Sequence, residues 1–338
     1  MLVKIVHETT LHYSDLIHET VMELRMAPLQ SVDQHRLSFT LAIGPATTVT
    51  PYSDWLGNTV HAFAVAAWHQ EIKIVATSVV QTERPPQDPT QFNDSWPLLP
   101  QQDWSLYDFL NFGGPIVDSL ELRNMVAKLR LREGMSLGAV AQRVLQAIDQ
   151  EFTYEKGTTN AASPITEVLH SRRGVCQDFS HLMIGMARAL GIPARYVSGF
   201  LHPDRQHFRG YAQSHAWCEL YFPSVGWIGF DPTNNCIVNS WFIKVAIGRD
   251  YRDVAPHKGV FKGNVTESMY ASVETELLPV KPLGLAAERM FTLPVPVFPT
   301  GRELTLEVAG HQTVQQQQQQ KKSEDGAYHQ QQQQQQQQ

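Results

Sequence analysis

Cysteine is scarce: Cys176, Cys218 and Cys236 are all that 338 residues contain. An odd, small number excludes a disulfide framework. Basic runs are missing too, since 27 Lys plus Arg face 33 Asp plus Glu for a formal charge of −6. That balance argues against a nucleic-acid partner and against polybasic attachment to a membrane. Long apolar runs are absent. Residues 62–68 form the longest mostly apolar stretch, far short of the roughly 20 residues a membrane helix needs. The opening MLVKIVHETTLHYSD meets His7 and Glu8 at once, with no apolar core of a secretory leader and no small-residue cleavage site. What remains is a cytoplasmic, non-membrane protein, long enough at roughly 150 residues per domain for two domains. With 42% hydrophobic residues it needs neither disulfide nor metal to build a core.

What is present changes character along the chain. Residues 1–84 carry short runs rich in Val, Ile, Thr and Phe at 3–10, 38–43, 59–67 and 72–81, which predict strands. Asp54-Trp55-Leu56-Gly57-Asn58 supplies turn chemistry between two of them. Regular short strands predict an all-β, sandwich-like domain. Arg84-Pro85-Pro86 then opens a stretch containing Pro89, Pro97 and Pro100; residues 85–103 read as a linker. Beyond it the period becomes helical. Val117, Leu120, Met125, Val126 and Leu129 fit one helix; Val140, Val144, Leu145 and Ile148 fit another behind Ser136 as N-cap. A third is predicted from Cys176 to Leu190, with a stripe of Phe179, Leu182, Met183, Met186 and Leu190 and a stop at Gly191 and Pro193. Alternation returns at 196–201, 214–222 and 226–230. Helices followed by strands indicate an α+β domain over residues 104–265. Residues 266–310 read as further strands and an extension packing on the body. Residues 311–338, with Gln runs at 315–320 and 330–338, have too little apolar surface to offset ordering entropy and read as a disordered tail.

The chemistry lies around Arg172-Arg173-Gly174-Val175-Cys176-Gln177-Asp178-Phe179, which sets a cysteine at the first turn of a helix. The partial positive charge and unpaired N–H groups of a helix start favour a thiolate, and the same N–H groups suit an oxyanion. A lone helix-start Cys is nevertheless most often a small buried residue. Two strands add weight: Ser214-His215-Ala216-Trp217-Cys218-Glu219 and Gly226-Trp227-Ile228-Gly229-Phe230-Asp231. A nucleophile needs a base, and the base needs an orienting group on its other ring nitrogen. Cys176, His215 and Asp231 supply these as nucleophile, base and orienter. Strand parity sets a condition. Were Phe222 to pair with Trp227, Asp231 would face Cys218 and lie on the opposite face from His215. An odd-length loop or a one-residue bulge is therefore required, pairing Asp231 with Trp217 or Glu219, and Gly226 suits it.

These segments resemble a known family. GVCQDFSHLMIGMARALGIPARYVSGFL, SHAWCELYFPSVGWIGFDPTNN and VAIGRDYRDVAP are similar to the transglutaminase-like superfamily, in its bacterial transglutaminase-like cysteine peptidase branch. HETTLHYS and DWLGN resemble the β domain that precedes the core in that branch. The likeness spans roughly residues 1–280. It implies a papain-like α+β core, a nucleophile-bearing helix packed on an antiparallel sheet, with the family triad falling on Cys176, His215 and Asp231. Gly248-Arg249-Asp250-Tyr251 also fits and is read as a structural Arg–Asp pair.

Other residues receive lesser roles. Gln177, Tyr154 and Trp217 are oxyanion or substrate candidates, although Gln177 equally suits a helix-start surface group and Trp217, like Trp227, a core or cleft wall. The Cys176 backbone N–H is a better oxyanion donor than Gln177. Asp178 reads as a complement to the helix dipole, Cys218 as a core residue facing away from His215, and Cys236 as a loop residue. A zinc site on Cys176, His181, Cys218 and some of the 14 histidines lacks any Cys-x-x-Cys, His-x-x-x-His or HExxH spacing, so no metal and no cofactor is expected. The reading is a cysteine-dependent acyl-transfer enzyme on amide or peptide bonds of peptides or proteins, working through a thioester, with hydrolysis favoured over transamidation. A binding or scaffold module with an idle triad is the alternative from another class. Oligomeric state is not legible.

Overall fold

The computed structural model describes residues 1–85, 87–99, 103–202, 209, 214–282, 284 and 287–298, with the backbone of 312–313. The Gln-rich runs lie outside the described residues. Two compact units emerge. One contains Leu2–Ala27, Arg36–Val80 and the described residues from Pro256 on; the other contains Met1, Pro28–His35 and Gln81–Ala255.

The first unit is all β. Its N-terminal strands are Leu2–Leu24, Gln34–Gly44, Val49–Ser53, Thr59–Val65 and His69–Thr82; the predicted runs at 3–10, 38–43 and 72–81 fall inside longer strands, whereas the run at 59–67 ends as a strand at Val65. In Leu2–Leu24 one face buries Val3, Ile5, His7, Thr9, Leu11 and Tyr13. The polar His7 and Thr9 on that buried face hide the alternation from a hydrophobicity reading. Glu19 has a φ of 53°, and the pairing register shifts between His18 and Val21. This is a bulge, which bends a strand and lets its halves take different partners. The first half pairs with Glu267–Leu277, the second with His257–Lys262 and Thr59–Val65. The sequence reading gave 257–262 to the core and 267–277 to further strands and an extension; both are strands, and both belong to the β unit. Backbone hydrogen bonding decides this, and no local sequence pattern reports strand partners that far apart.

The second unit is α+β. Five antiparallel strands stand in the order Cys236–Ile237, Gly226–Asp231, Ser214–Phe222, Ala194–Leu201, Phe242–Gly248. Helices Leu120–Lys128, Leu137–Glu151, Ile165–Ser171 and Cys176–Ala189 accompany them. Ser136 caps the second, accepting the Ala139 N–H. The short helix Ile165–Ser171 and the edge strand Phe242–Gly248 escaped the sequence reading. The Cys176–Ala189 helix is buried continuously from Asp178 to Arg188, not along one stripe, because the other helices and the sheet both pack on it. A helix enclosed on all sides buries polar groups too, and each must find a partner. Arg188 finds several: its guanidinium donates to the carbonyls of Phe109, Asn111, Ala194 and Arg249.

The described residues of 85–103, read from the sequence as a linker, pack within the α+β unit. Phe92 packs edge-on against Phe222, the Trp96 indole N–H donates to Leu190 O, and Asp94 accepts from the backbone and hydroxyl of Ser224. Gly138 exists to admit this segment, since a Cβ there would meet Pro89 O at 2.0 Å. Counting prolines overlooked apolar anchors placed between them. Residues 28–35 likewise join this unit: the Gln34 amide bonds to both the N–H and the C=O of Lys244 on the edge strand, satisfying a sheet edge.

Replacing Arg188 by Met leaves these buried carbonyls without their shared donor. The variant is expected to lose about 3 kcal/mol or more of stability, read as a lower urea midpoint at unchanged m-value.

Candidate active site

The central helix starts at Cys176, with Val175 extended as its N-cap. Backbone N–H groups of a first turn have no intrahelical partner, and the thiol sits at that end of the helix. Asp178 is buried and accepts from the Val175 N–H at 2.7 Å and from the Thr159 hydroxyl at 2.6 Å. It thus complements the helix dipole, as expected, and also ties residue 159 to the helix start. Gly174 has no room for a side chain: a Cβ would meet the Asp178 Cβ at 2.8 Å and Oδ2 at 2.9 Å. The Ser180 hydroxyl donates to Cys176 O at 2.7 Å.

The hairpin that carries His215 and Asp231 meets the parity condition. Phe222 pairs with Gly226 and Cys218 with Phe230, so three residues form the loop, and Gly226 adopts a φ of 86° that L side chains avoid. One step further along this register, Asp231 falls opposite Trp217 and shares a face with His215. His215 Nε2 and Asp231 Oδ2 are 2.8 Å apart, both side chains fully buried. The carboxylate is held from other sides as well. The Thr233 N–H donates to Oδ1 at 2.9 Å and the Asn234 amide to Oδ2 at 2.7 Å. Burial disfavours an imidazolium, but the charge and hydrogen bond of Asp231, then the hydrogen bonding and charge of Cys176, outweigh it and raise His215 to about 10. The thiol therefore lies within reach of the imidazole. Residues 216, 218, 220 and 222 join the helix-side core while Trp217 packs on the other side. Thiol and imidazole meet because Cys176 begins its helix, His215 stands second in its strand and Asp231 ends its own. Element ends escape the sheet that separates the two faces.

The remaining candidates separate. Tyr154 pairs in parallel register with Gly174 and sets its ring edge-on to Phe179 at 6.4 Å. Its phenol is raised to about 12, by burial first and next by the charge of Cys176, with Asp178 and Asp231 adding. Gln177 directs its amide to Ala161 O at 3.0 Å, so that donor is engaged elsewhere. Trp217 is fully buried, 6.2 Å from the His215 ring and 5.3 Å from Phe242; it is a wall behind the imidazole and is closed to substrate. Gly199 makes room for it, since a Cβ there would meet the indole at 2.5 Å. Trp227 packs on Phe109 and Tyr221 beneath Arg195. Cys218 is buried in the helix-side core. Cys236 is not a loop residue: it lies in a short strand directly opposite Asp231. The GRDY motif forms two ion pairs, Arg249 with Asp253 and Asp250 with Arg252, not one between neighbours. His181 packs at a tilt on Tyr196 and accepts the Tyr251 N–H, and burial lowers it to about 3. Among the described residues no group of His, Cys, Asp and Glu could hold a metal ion.

Three contributors were missed. Asn234 and Thr233 lie in the DPTNN run that was quoted without a role, and Asp followed by Thr and Asn two and three residues on is an Asx-turn signal. Tyr196 is fully buried, and its phenol is pushed up by burial and then by the Cys176 charge; nothing in a strand pattern marks such a residue.

Two family profiles fit the chain: the transglutaminase-like superfamily over residues 124–232 and the bacterial transglutaminase-like N-terminal region over residues 3–81. An uncharacterized protein of Mycobacterium leprae is 32% identical over 276 residues, 80% of this chain and 97% of that protein. The chain belongs to the transglutaminase-like superfamily. An uncharacterized Mycobacterium tuberculosis protein is 31% identical over 82% of this chain and 92% of its own. The crystal structure of a candidate cysteine protease from Cytophaga hutchinsonii, 24% identical, covers 83% of this chain and 93% of that one at a TM-score of 0.68, which shows the shared fold. A Pseudomonas aeruginosa protein-glutamine gamma-glutamyltransferase is 31% identical over 107 residues, 28% of this chain and 16% of that protein. Membership in this superfamily supports a cysteine-dependent enzyme.

The His215 proton is held more tightly in the folded chain than at the ordinary value of 6.5. Its stabilisation is complete below about 6.5 and is lost as pH rises through about 10. The stability gap between the native chain and His215→Gln, from urea unfolding, is therefore expected to narrow over that window. A gap that widens contradicts the paired imidazolium.

Proposed function

We propose that the chain hydrolyses amide or peptide bonds of peptide or protein substrates, with Cys176 as nucleophile, His215 as base and acid, and Asp231 as the orienter of His215. The observation that carries this reading is the buried 2.8 Å His215–Asp231 pair acting on a cysteine at a helix start. Asp231, held by Thr233 and Asn234, fixes the imidazole through Nε2 and leaves Nδ1 for the thiol. The thiolate sulfur adds to the carbonyl carbon, and the carbonyl π electrons move to oxygen. The tetrahedral adduct collapses, the C–N bond breaks, and the amine leaves with the proton from His215. A thioester remains. Water, deprotonated by His215, then cleaves it to a carboxylic acid and the free thiol.

A primary amine in place of water would yield a new amide, and the gamma-glutamyltransferase relative, matched over part of the core, favours that second reading. Transamidation needs a cleft that excludes water and admits an amine; hydrolysis needs neither. An idle triad in a binding module finds no support in an imidazole so fully held.

Intact-mass spectrometry after brief iodoacetamide treatment from pH 5 to 9 tests the reading. One fast label is expected, absent in Cys176→Ala and slowed at least about tenfold in His215→Ala. Amide turnover in those conditions, unchanged by added primary amine, supports the hydrolase. A product carrying the amine moves the assignment to transamidation. A Cys176 that labels only on unfolding overturns both.

A further inference from the structure

Arginine carries a planar, permanently charged fork that matches a carboxylate with two parallel hydrogen bonds. Most such groups in the α+β unit meet an acid, as Arg195, Arg249 and Arg252 do. Arg209 departs from this. Among the described residues its guanidinium has no ion-pair or hydrogen-bond partner. It lies over the Tyr154 ring instead, with Cζ 6.0 Å from the centroid, at the outer reach of a cation–π contact. The acids around the site are already occupied. Asp178 holds the Val175 N–H and the Thr159 hydroxyl, Asp231 holds His215, Thr233 and Asn234, and Glu155 pairs with Arg173.

The place of this cation is set from both halves of the site. Asn234 clamps its backbone: Oδ1 accepts the Arg209 N–H at 2.8 Å, and the amide donates to Arg209 O at 3.3 Å. The same amide donates to Asp231 Oδ2 at 2.7 Å, so one side chain ties residue 209 to the acid that orients His215. The guanidinium meets Tyr154, whose backbone pairs with Gly174, two residues before Cys176, and whose ring packs on Phe179. It therefore stands on the nucleophile's side. Beyond its burial, the Tyr154 phenol responds to the charges of Cys176, Arg209, Asp178 and Asp231, so cation and thiol share one local field. Arg209 is exposed, and a bound molecule can reach it. The chain as a whole carries a formal charge of −6 and does not draw anions from a distance; any attraction here is local.

We propose that Arg209 is a specificity-determining residue that binds a carboxylate on the acyl part of the substrate, so that the site prefers peptides with Asp or Glu on the acyl side of the scissile amide. This rests on the acyl-transfer reading above and names its substrate class. The acyl group is the part that stays on sulfur after the amine has left with the proton from His215. Its carboxylate accepts two N–H bonds from the guanidinium, and no proton moves and no covalent bond changes at Arg209. An exposed ion pair is weak when both side chains move freely. The Tyr154 ring and the Asn234 clamp hold one partner in advance, which lowers the ordering cost.

Two p-nitrophenyl monoesters of adipic acid test this, one ending in a free carboxylate and the other in a carboxamide. They share length and leaving group and differ in charge. The native chain is expected to favour the acid at least about tenfold in kcat/KM, mainly through KM, with a smaller preference at about 0.5 M salt. Arg209→Gln is expected to bring the two esters within about twofold of each other. Its rate with the carboxamide ester, and its iodoacetamide labelling of Cys176, should stay within about twofold of native. A native preference below about threefold overturns the proposal. An Arg209→Gln chain slowed equally on both esters overturns it as well, by assigning Arg209 to holding Asn234 and the triad. The acyl-transfer reading fails separately, if Cys176 alkylates and neither ester acylates it. Iodoacetate against iodoacetamide then judges the anion site: a preference for iodoacetate that drops at least about threefold in Arg209→Gln supports it, and an unchanged ratio overturns it.

Discussion

A buried carboxylate must find hydrogen-bond donors for its oxygens, and the α+β unit is arranged around that requirement at Asp231. Three donors converge on it: His215, the Thr233 N–H and the Asn234 amide. Removing two charges from water costs several kcal/mol per ion, recovered only when the geometry is complete. The turn after Asp231 and the hairpin before it are parts of one device. The hairpin's three-residue loop, closed by Gly226 at positive φ, brings the acid to the histidine's face. The turn then supplies the donors that complete its hydrogen bonding.

The helix start at Cys176 follows the same logic with a different acid. Asp178 binds the Val175 N–H and the Thr159 hydroxyl, so the first turn of the central helix and the segment after Tyr154 are held by one carboxylate. Arg188, at the far end of that helix, satisfies four carbonyls. Between them the helix is buried continuously and has little freedom to slide or rotate. Catalytic groups need sub-ångström placement, and a helix held at both ends by buried charges provides it at its first residue.

Glu219 extends the principle across the sheet. It is buried, paired with Arg195 at 2.6 Å and Lys244 at 2.6 Å, and although burial pushes its carboxyl up, these two cations hold it down at about 2. It joins three neighbouring strands on the face that carries Trp217 and His215. The Lys244 backbone is itself engaged by Gln34. The strand beside the imidazole is thereby fixed laterally, independently of the hairpin.

Local chemistry was enough to read the helix start at Cys176, the two strands, the odd-length loop and the N-cap at Ser136, because capping, periodicity and parity act within about ten residues. The sequence alone also carried the family resemblance, through ordered motifs that need no coordinates. Long-range pairing was beyond it. Residues 257–262 and 267–277 join the first strand of the chain, and Phe92 and Trp96 bind a proline-rich segment to a core formed far downstream; composition measures what a segment contains and not what it meets. Residue roles divided in the same way. The residue types alone marked Cys176, His215 and Asp231, whereas only the tertiary structure decided that Trp217 is sealed, that Gln177 is engaged, that Asn234 holds Asp231 and that Tyr154 stands beside the nucleophile. Those outcomes depend on where the N–H and O–H donors and the apolar surfaces end up in space, and that is set by packing among segments distant in sequence.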